Sequence, residues 1–183
     1  MKIRPRTTAT LVLMAFYALT IIPGTIRAQG TDANRTGAPV VLNRDQASGI
    51  LPPSVFFRGQ SASIQGRNSA GLRMPDGKLV LLAIVDTSGY SSALQQTYQA
   101  YLLTEVPLDI AGRKLQPGAY GFGFVSGNMT VMDIGSNEIL RVATTRDESL
   151  ARPTPLQILP DGSTGKFRLY IGRSYVSFSP APR

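Results

Sequence analysis

The chain has 183 residues, 19 Lys and Arg against 11 Asp and Glu, a formal charge of +8, and neither cysteine nor histidine. Those two absences exclude disulfides, thiol nucleophiles, Ser-His-Asp and Cys-His catalysis, and any zinc, copper or haem site built on imidazole or thiolate. Only oxygen-ligand cations such as calcium stay open, and no cofactor is indicated. The arginines are scattered, with no basic run, so nucleic-acid binding is not indicated either.

Residues 1–28 open with Lys2, Arg4 and Arg6, continue as the apolar run 9–22 (ATLVLMAFYALTII), and end in Pro23, Gly24 and Ala28. This is the order of a secretory signal peptide. The run is too short for the roughly 20 residues a membrane-spanning helix needs, so the expected product is secreted or periplasmic, with no stable membrane span after processing. Four basic residues (Lys2, Arg4, Arg6, Arg27) and no acidic ones fall in this segment, which leaves 15 basic and 11 acidic groups and a net charge of +4. An exported chain without cysteine fits a bacterial source better than an animal one.

Residues 29–53 read as a flexible leader, polar at first (QGTDANRTGAPV), with one helical turn over 45–51 capped by Asp45 and stopped by Pro52 and Pro53. A single β-domain is expected over 54–179, with 180–183 as a tail. Short strands at 55–57 and 61–65 flank Gly59, and Met74-Pro75-Asp76-Gly77 is a turn. The segment 78–86 (KLVLLAIVD) is apolar on both faces, as a central strand covered on both sides would be. Residues 92–105 combine a capping-box match (Ser92, Gln95) with good helix formers. Either a helix or a strand is possible there; a short helical turn near 92–96 followed by a strand is preferred. As a strand, it would put Tyr98, Ala100, Leu102 and Val106 on one face. Strands at 129–134 and 139–143 follow turns at Gly127 and Gly135. After the turn 160–165, Phe167, Leu169 and Ile171 alternate with Lys166, Arg168 and Tyr170, which predicts a half-buried strand with Arg168 toward solvent. About eight to ten strands at this spacing predict an all-β fold, an antiparallel β-sandwich or barrel with one or two short helical turns.

Residues 106–124 (VPLDIAGRKLQPGAYGFGF) hold a Leu-x-Pro-Gly-x-Tyr-x-Phe corner. Pro117 sets φ, Gly118 is expected at positive φ, and Tyr120, Phe122 and Phe124 form a core-facing row opposite Ala119, Gly121 and Gly123. This corner resembles one found in uncharacterised secreted bacterial β-domains. The resemblance implies a secreted β-domain and carries over no catalytic residue.

Several groups compete as sites. Ser163-x-x-Lys166 has the spacing of a Ser–Lys acyl enzyme but sits in a turn and lacks the helix that chemistry needs. Asp86, Glu105, Asp109, Asp133 and Glu138 lie near strands and are the raw material for a carboxylate-based glycosidase; Asp86, ending an apolar strand, is expected to be semi-buried and perturbed. Asp161 can offer oxygens to calcium, but without the repeated acids of a dedicated loop. The polar group Arg58, Gln60, Gln65, Arg67 and Asn68 carries planar hydrogen-bonding side chains suited to sugar or peptide recognition. Tyr90, Tyr98 and Tyr101 can add stacking faces to it. Asn34 and Asn128 head glycosylation sequons relevant only to a eukaryotic secretory route. The expected function is an exported, non-enzymatic binding or structural module of the envelope or extracellular space. Its partner would be a glycan, a peptide or a second copy joined through an edge strand at 166–171. The alternative is a small hydrolase of the carboxylate or Ser–Lys type.

Overall fold

The computed structural model describes residues 37–162 and 165–181, so the segment 1–28, residues 29–36 of the leader, Asn34 and Ser163 lie outside the described residues. The first strand is β1 (Val40–Leu42), which pairs antiparallel with a much later segment, Leu42 opposite Gly71. Helix α1 (Arg44–Ser48) follows at once. Its cap is Asn43, not Asp45: the Asn43 Oδ1 accepts from Gln46 N–H, and Gln46 Oε1 accepts from Asn43 N–H, each at 2.9 Å. Asp45 is already inside the first turn. Leu42, Ala47 and Leu51 are buried. The ordered fold therefore starts well before Ser54, because these three apolar side chains have a sheet to cover.

The chain continues through β2 (Ser54–Phe57), β3 (Gln60–Arg73), β4 (Leu79–Val85), α2 (Ser92–Thr97), β5 (Ala100–Thr104), β6 (Leu108–Ile110) and β7 (Arg113–Leu115). It then forms β8 (Gly118–Val125), β9 (Asn128–Met132), β10 (Glu138–Ala143), β11 (Thr145–Arg146), β12 (Thr154–Pro160), β13 (Phe167–Gly172) and β14 (Ser174–Pro180). The first sheet runs β1-β3-β4-β5-β8-β9-β10, with β2 beside β3; the second runs β12-β13-β14-β6-β7, with β11 beside β14. All pairs are antiparallel and neither sheet closes on itself, so the fold is a sandwich and not a barrel. Four of the strands, β1, β6, β7 and β11, have only two or three residues, which is why spacing alone predicts fewer. Among the described residues no helix is long and apolar enough to cross a membrane.

Two of the chain's changes of sheet fall at prolines. Thr104 ends β5 in the first sheet with its buried hydroxyl donating to the Val106 carbonyl (2.6 Å), and Pro107 then leads into β6 of the second. Pro117 brings it back into β8. Gly118 there is not at positive φ; it lies in the strand, and a Cβ on it would meet the Tyr120 ring, whose hydroxyl folds back to donate to the Gln116 carbonyl (3.0 Å). The corner glycine makes room for an aromatic neighbour and does not supply a left-handed turn.

Between the sheets lies one apolar core: Leu72, Leu82, Leu102, Phe122 and Val131 from the first face Leu108, Phe167, Leu169 and Phe178 from the second. The outer face of the first sheet is covered as well. Leu81 and Ala83 pack under Ala47 and Leu51 near α1, so β4 is buried on both sides as its composition predicts. Farther along, α2 and β2 place Phe57, Leu94 and Tyr98 over the glycine face of β8. The N-cap of α2 is Ser91 and makes no side-chain cap bond; Gln95 Nε2 donates instead to the Tyr90 carbonyl at 2.8 Å. The helix therefore begins one residue before the expected box. Because β5 begins only at Ala100, Tyr98 is freed to join this outer cluster while Ala100 and Leu102 enter the core between the sheets.

The outer face of the second sheet is polar but structured. Strand β13 is interior, paired with β12 on one side and β14 on the other, so the expected edge strand at 166–171 is corrected. Arg168 points outward yet is not free: its Nη2 bonds Asp161 at 2.8 Å and its guanidinium lies 4.7 Å from the Tyr175 ring centroid. Arg168→Ala should therefore cost about 1–2 kcal/mol in urea unfolding, above the few tenths typical of a surface site. A change below about 0.5 kcal/mol would mean these contacts contribute nothing.

Beside Arg168, Asp147 accepts from the Ser149 hydroxyl (2.6 Å), the Ser149 N–H (3.0 Å) and the buried Tyr170 hydroxyl (2.8 Å). The Ser149 hydroxyl first, then Tyr170, holds the carboxyl below its ordinary 3.8. A carboxyl with a lowered folded-state pKa stabilises the fold fully above its unfolded value and loses that contribution as pH falls through the lowered one. The stability gap between wild type and Asp147→Asn should thus be steady near neutral pH and narrow below about pH 4. An unchanging gap across the acid range in a pH series of urea melts would exclude this contribution.

Candidate functional site

The long strand β3 decides which candidate residues meet. Arg58 and Gly59 are the two central residues of the β2–β3 hairpin, both left-handed at φ 45° and 78°, the type I′ geometry of a two-residue turn. The Arg58 N–H donates to the Ile134 carbonyl at 2.7 Å, fixing the turn to the loop after β9. Its exposed side chain borders a shallow groove of about 280 Å³ floored by Leu94 and Met132 and flanked by the Glu138–Arg141 ion pair. Gln60 begins β3, exposed, with its carbonyl accepting from the Tyr90 hydroxyl at 3.2 Å.

Gln65, Arg67 and Asn68 fall farther along, where the pairing of β3 with β4 shifts register between Ile64 and Ser69. Such a bulge turns side chains away from the regular alternation. Asn68 Nδ2 donates to Gln65 Oε1 (2.9 Å), and the Ser69 hydroxyl donates to the Gly66 carbonyl (2.7 Å) and toward Arg44 O (3.2 Å). The bulge is thus tied to itself and to α1. Arg67 is exposed and, among the described residues, has no ion pair or hydrogen bond.

Arg67 and Asn68 stand on the wall of an open cleft of about 480 Å³ where the margins of the two sheets meet. The floor is apolar: Leu42, Ala70, Leu156 and Ile158 are all buried. Around it stand Asn43 and Arg44 on the α1 side and Thr154 and Gln157 on β12. No acidic or aromatic side chain lines this cleft among the described residues. The Arg44 guanidinium faces Asp45 at 3.8 Å, with both side chains largely in water, a pairing of little strength. The expected cluster therefore divides: Gln65, Arg67 and Asn68 belong to the bulge, two of them lining the cleft, while Arg58 and Gln60 sit at the other end of the strand. Asn43, Arg44, Thr154 and Gln157 complete the cleft and were not among the candidates. The signal for the first two was present in the Asn43/Gln46 box followed by Ala47 and Leu51.

Tyr90 and Tyr98 are buried and present no stacking face to a ligand. Tyr98 is fully buried and stacks on Phe57 with centroids 3.9 Å apart, and Tyr90 meets both rings edge-on. The Tyr90 hydroxyl donates to the Phe57 carbonyl at 3.0 Å. Burial raises the pKa of Tyr98, Tyr90 and the half-buried Tyr101.

The carboxylates serve their own turns. Asp86 is exposed, not semi-buried, and the Ser88 N–H (3.0 Å) lowers its pKa. Asp133 accepts from Asn137 and Gly135, and the Asn137 bonds lower its pKa; Glu138 is lowered by Arg141. Asp109 accepts from Gly112 N–H (2.7 Å), and Glu105 from Leu79 N–H (2.8 Å). Asp161 is engaged by Arg168. Lys166 follows the turn into β13, and its proposed partner Ser163 lies outside the described residues. Among the described residues no three His, Cys, Asp or Glu side chains converge as metal ligands.

The described residues form an all-β sandwich with α1 and α2 on the outer face of the first sheet. No protein-family model matches this chain, and neither does any curated protein or solved structure.

Proposed function

We propose that the chain is exported from a bacterial cell and acts as a non-enzymatic binding module of the envelope or extracellular space, with the cleft between α1, β3 and β12 as its binding surface. The observation that carries this reading is Arg67. Among the described residues Arg141, Arg146 and Arg173 use their donors within the fold, on Glu138, Glu148 and the Leu150 carbonyl, whereas Arg58, Arg73, Arg113 and Arg152 do not but stand away from this cleft. Arg67 instead holds an unengaged guanidinium beside an apolar floor, the mixture of a few placed polar groups and apolar lining that ligand sites use. The basic start and apolar run of 1–28 support export, and the Pro-Gly corner supports the likeness to secreted β-domains.

The test has two parts. Intact mass of the protein recovered outside the cytoplasm should place its start at or within a few residues of Gln29; recovery of residues 1–28 in a membrane fraction would refute processing. In a screen of envelope glycans and envelope-derived peptides, a bound ligand should move amide signals of the cleft, and Arg67→Ala should weaken binding about tenfold with an unchanged urea midpoint. Ligand-induced shifts centred elsewhere would remove the cleft from the reading.

A further inference from the structure

We infer that the cleft recognises an acidic peptide segment of a partner protein, held extended with an aliphatic residue beside a carboxylate. This rests on the reading of the cleft as a binding surface and adds the chemistry of its ligand. Charge comes first. Two guanidinium groups, Arg44 and Arg67, stand on the cleft and no carboxylate lines it. The nearest compensating acid, Asp45, is 93% exposed and 3.8 Å from Arg44, so water screens it. A ligand carboxylate meets Arg67 unpaired and Arg44 only weakly held there, and a planar guanidinium fork suits it in two parallel bonds.

The floor selects a second feature. Leu42 and Leu156 are each only 4% exposed, and the aliphatic surface open to a ligand in this polar-walled cleft comes from half-buried Val41 and exposed Pro155. An aliphatic side chain adjoining the acid would cover it, which a bare anion would not. The walls add amides, Asn68 and Gln157, that can bond peptide groups.

The lining also separates peptide from glycan. A sugar ring presents a flat C–H face that binding sites commonly meet with an aromatic ring. This cleft has none: Tyr98 stacks on Phe57 in the interior and Tyr90 meets that ring edge-on. Charge and aliphatic contact are what the cleft offers, and an acidic–aliphatic peptide uses both.

The probes are short acetylated, amidated peptide pools in which Asp or Glu alternates with Leu or Val, matched pools with Lys replacing the acids, and oligogalacturonate. Each is titrated into the isotope-labelled exported protein. The acidic pools should move the amides of Leu42, Arg44, Arg67, Asn68, Leu156 and Gln157. Arg44→Glu and Arg67→Glu should each weaken binding about tenfold or more, at unchanged melting temperature, and added salt should weaken it further. Lysine pools binding as well as acidic ones, or affinities indifferent to both Arg→Glu changes, would overturn the inference. Oligogalacturonate seated in the cleft more tightly than the acidic pools would overturn the peptide while leaving the cleft a binding surface. If no probe moves the cleft amides, the peptide inference fails; the cleft reading fails only if the broader screen with Arg67→Ala is also silent.

Discussion

Truncation of Phe122 to alanine should lower the unfolding free energy by about 3–5 kcal/mol, the range for a fully buried aromatic that leaves a cavity its surroundings cannot fill. Phe122 is 0% exposed at the centre of β8, with Ala100 opposite it on β5 and Val131 opposite it on β9. Both neighbours are backbone-paired into the sheet and cannot move inward without breaking the ladder. Phe167 and Phe178 across the core belong to a second sheet with its own pairing. Urea unfolding of Phe122→Ala beside Arg168→Ala is the measurement. If the phenylalanine variant proves the milder of the two, the aromatic row does not carry the core.

The second large effect is expected from adding atoms. Gly123 lies on the opposite face of β8, where a Cβ would run into the main-chain carbonyl of Thr97, the last residue of α2. The helix is clamped there: Gln99 accepts from Phe124 N–H (3.0 Å) and donates back to the Phe124 carbonyl (3.2 Å). Gly123→Val therefore forces a backbone to shift, not a flexible side-chain end, and should cost about 3 kcal/mol. It should also disturb the near-ultraviolet signal of the Phe57–Tyr90–Tyr98 stack, since Tyr98 follows Thr97 directly. Tolerance of valine within about 0.5 kcal/mol would show that α2 is not seated on this strand.

These two residues also show what was legible in the chain. The alternation of 119–124 states an aromatic face and a small face, and the structure fills both, one with the inter-sheet core and one with α2. The run 78–86 likewise declares burial on both sides before any partner is known. What failed to show was partnership at a distance. Val40–Leu42 is too short to read as a strand, and its meaning comes from the pairing with β3. Alternation in β13 reveals one polar face but not that Tyr170 on it is buried, nor that both edges are taken. The candidate site was half legible for a related reason. A strand advances about 3.3 Å per residue, so Arg58 and Arg67, neighbours on the page, are carried apart along β3. The residues that do join Arg67, on α1 and β12, are brought there by the sandwich.

The second sheet has one further property, which concerns when the fold can exist. Its middle is made by β6, from the centre of the chain, lying against β14, the last strand: Ile110 sits opposite Phe178 and Leu108 opposite Pro180. Until β14 has been made and is free to pair, the β6–β7 hairpin has no sheet to join. Closure thus waits on contacts that span some seventy residues, which makes for slow folding and a late commitment. On the export reading proposed above, that order suits a chain threaded through a membrane unfolded, since the second sheet cannot close until its C-terminal strand has crossed.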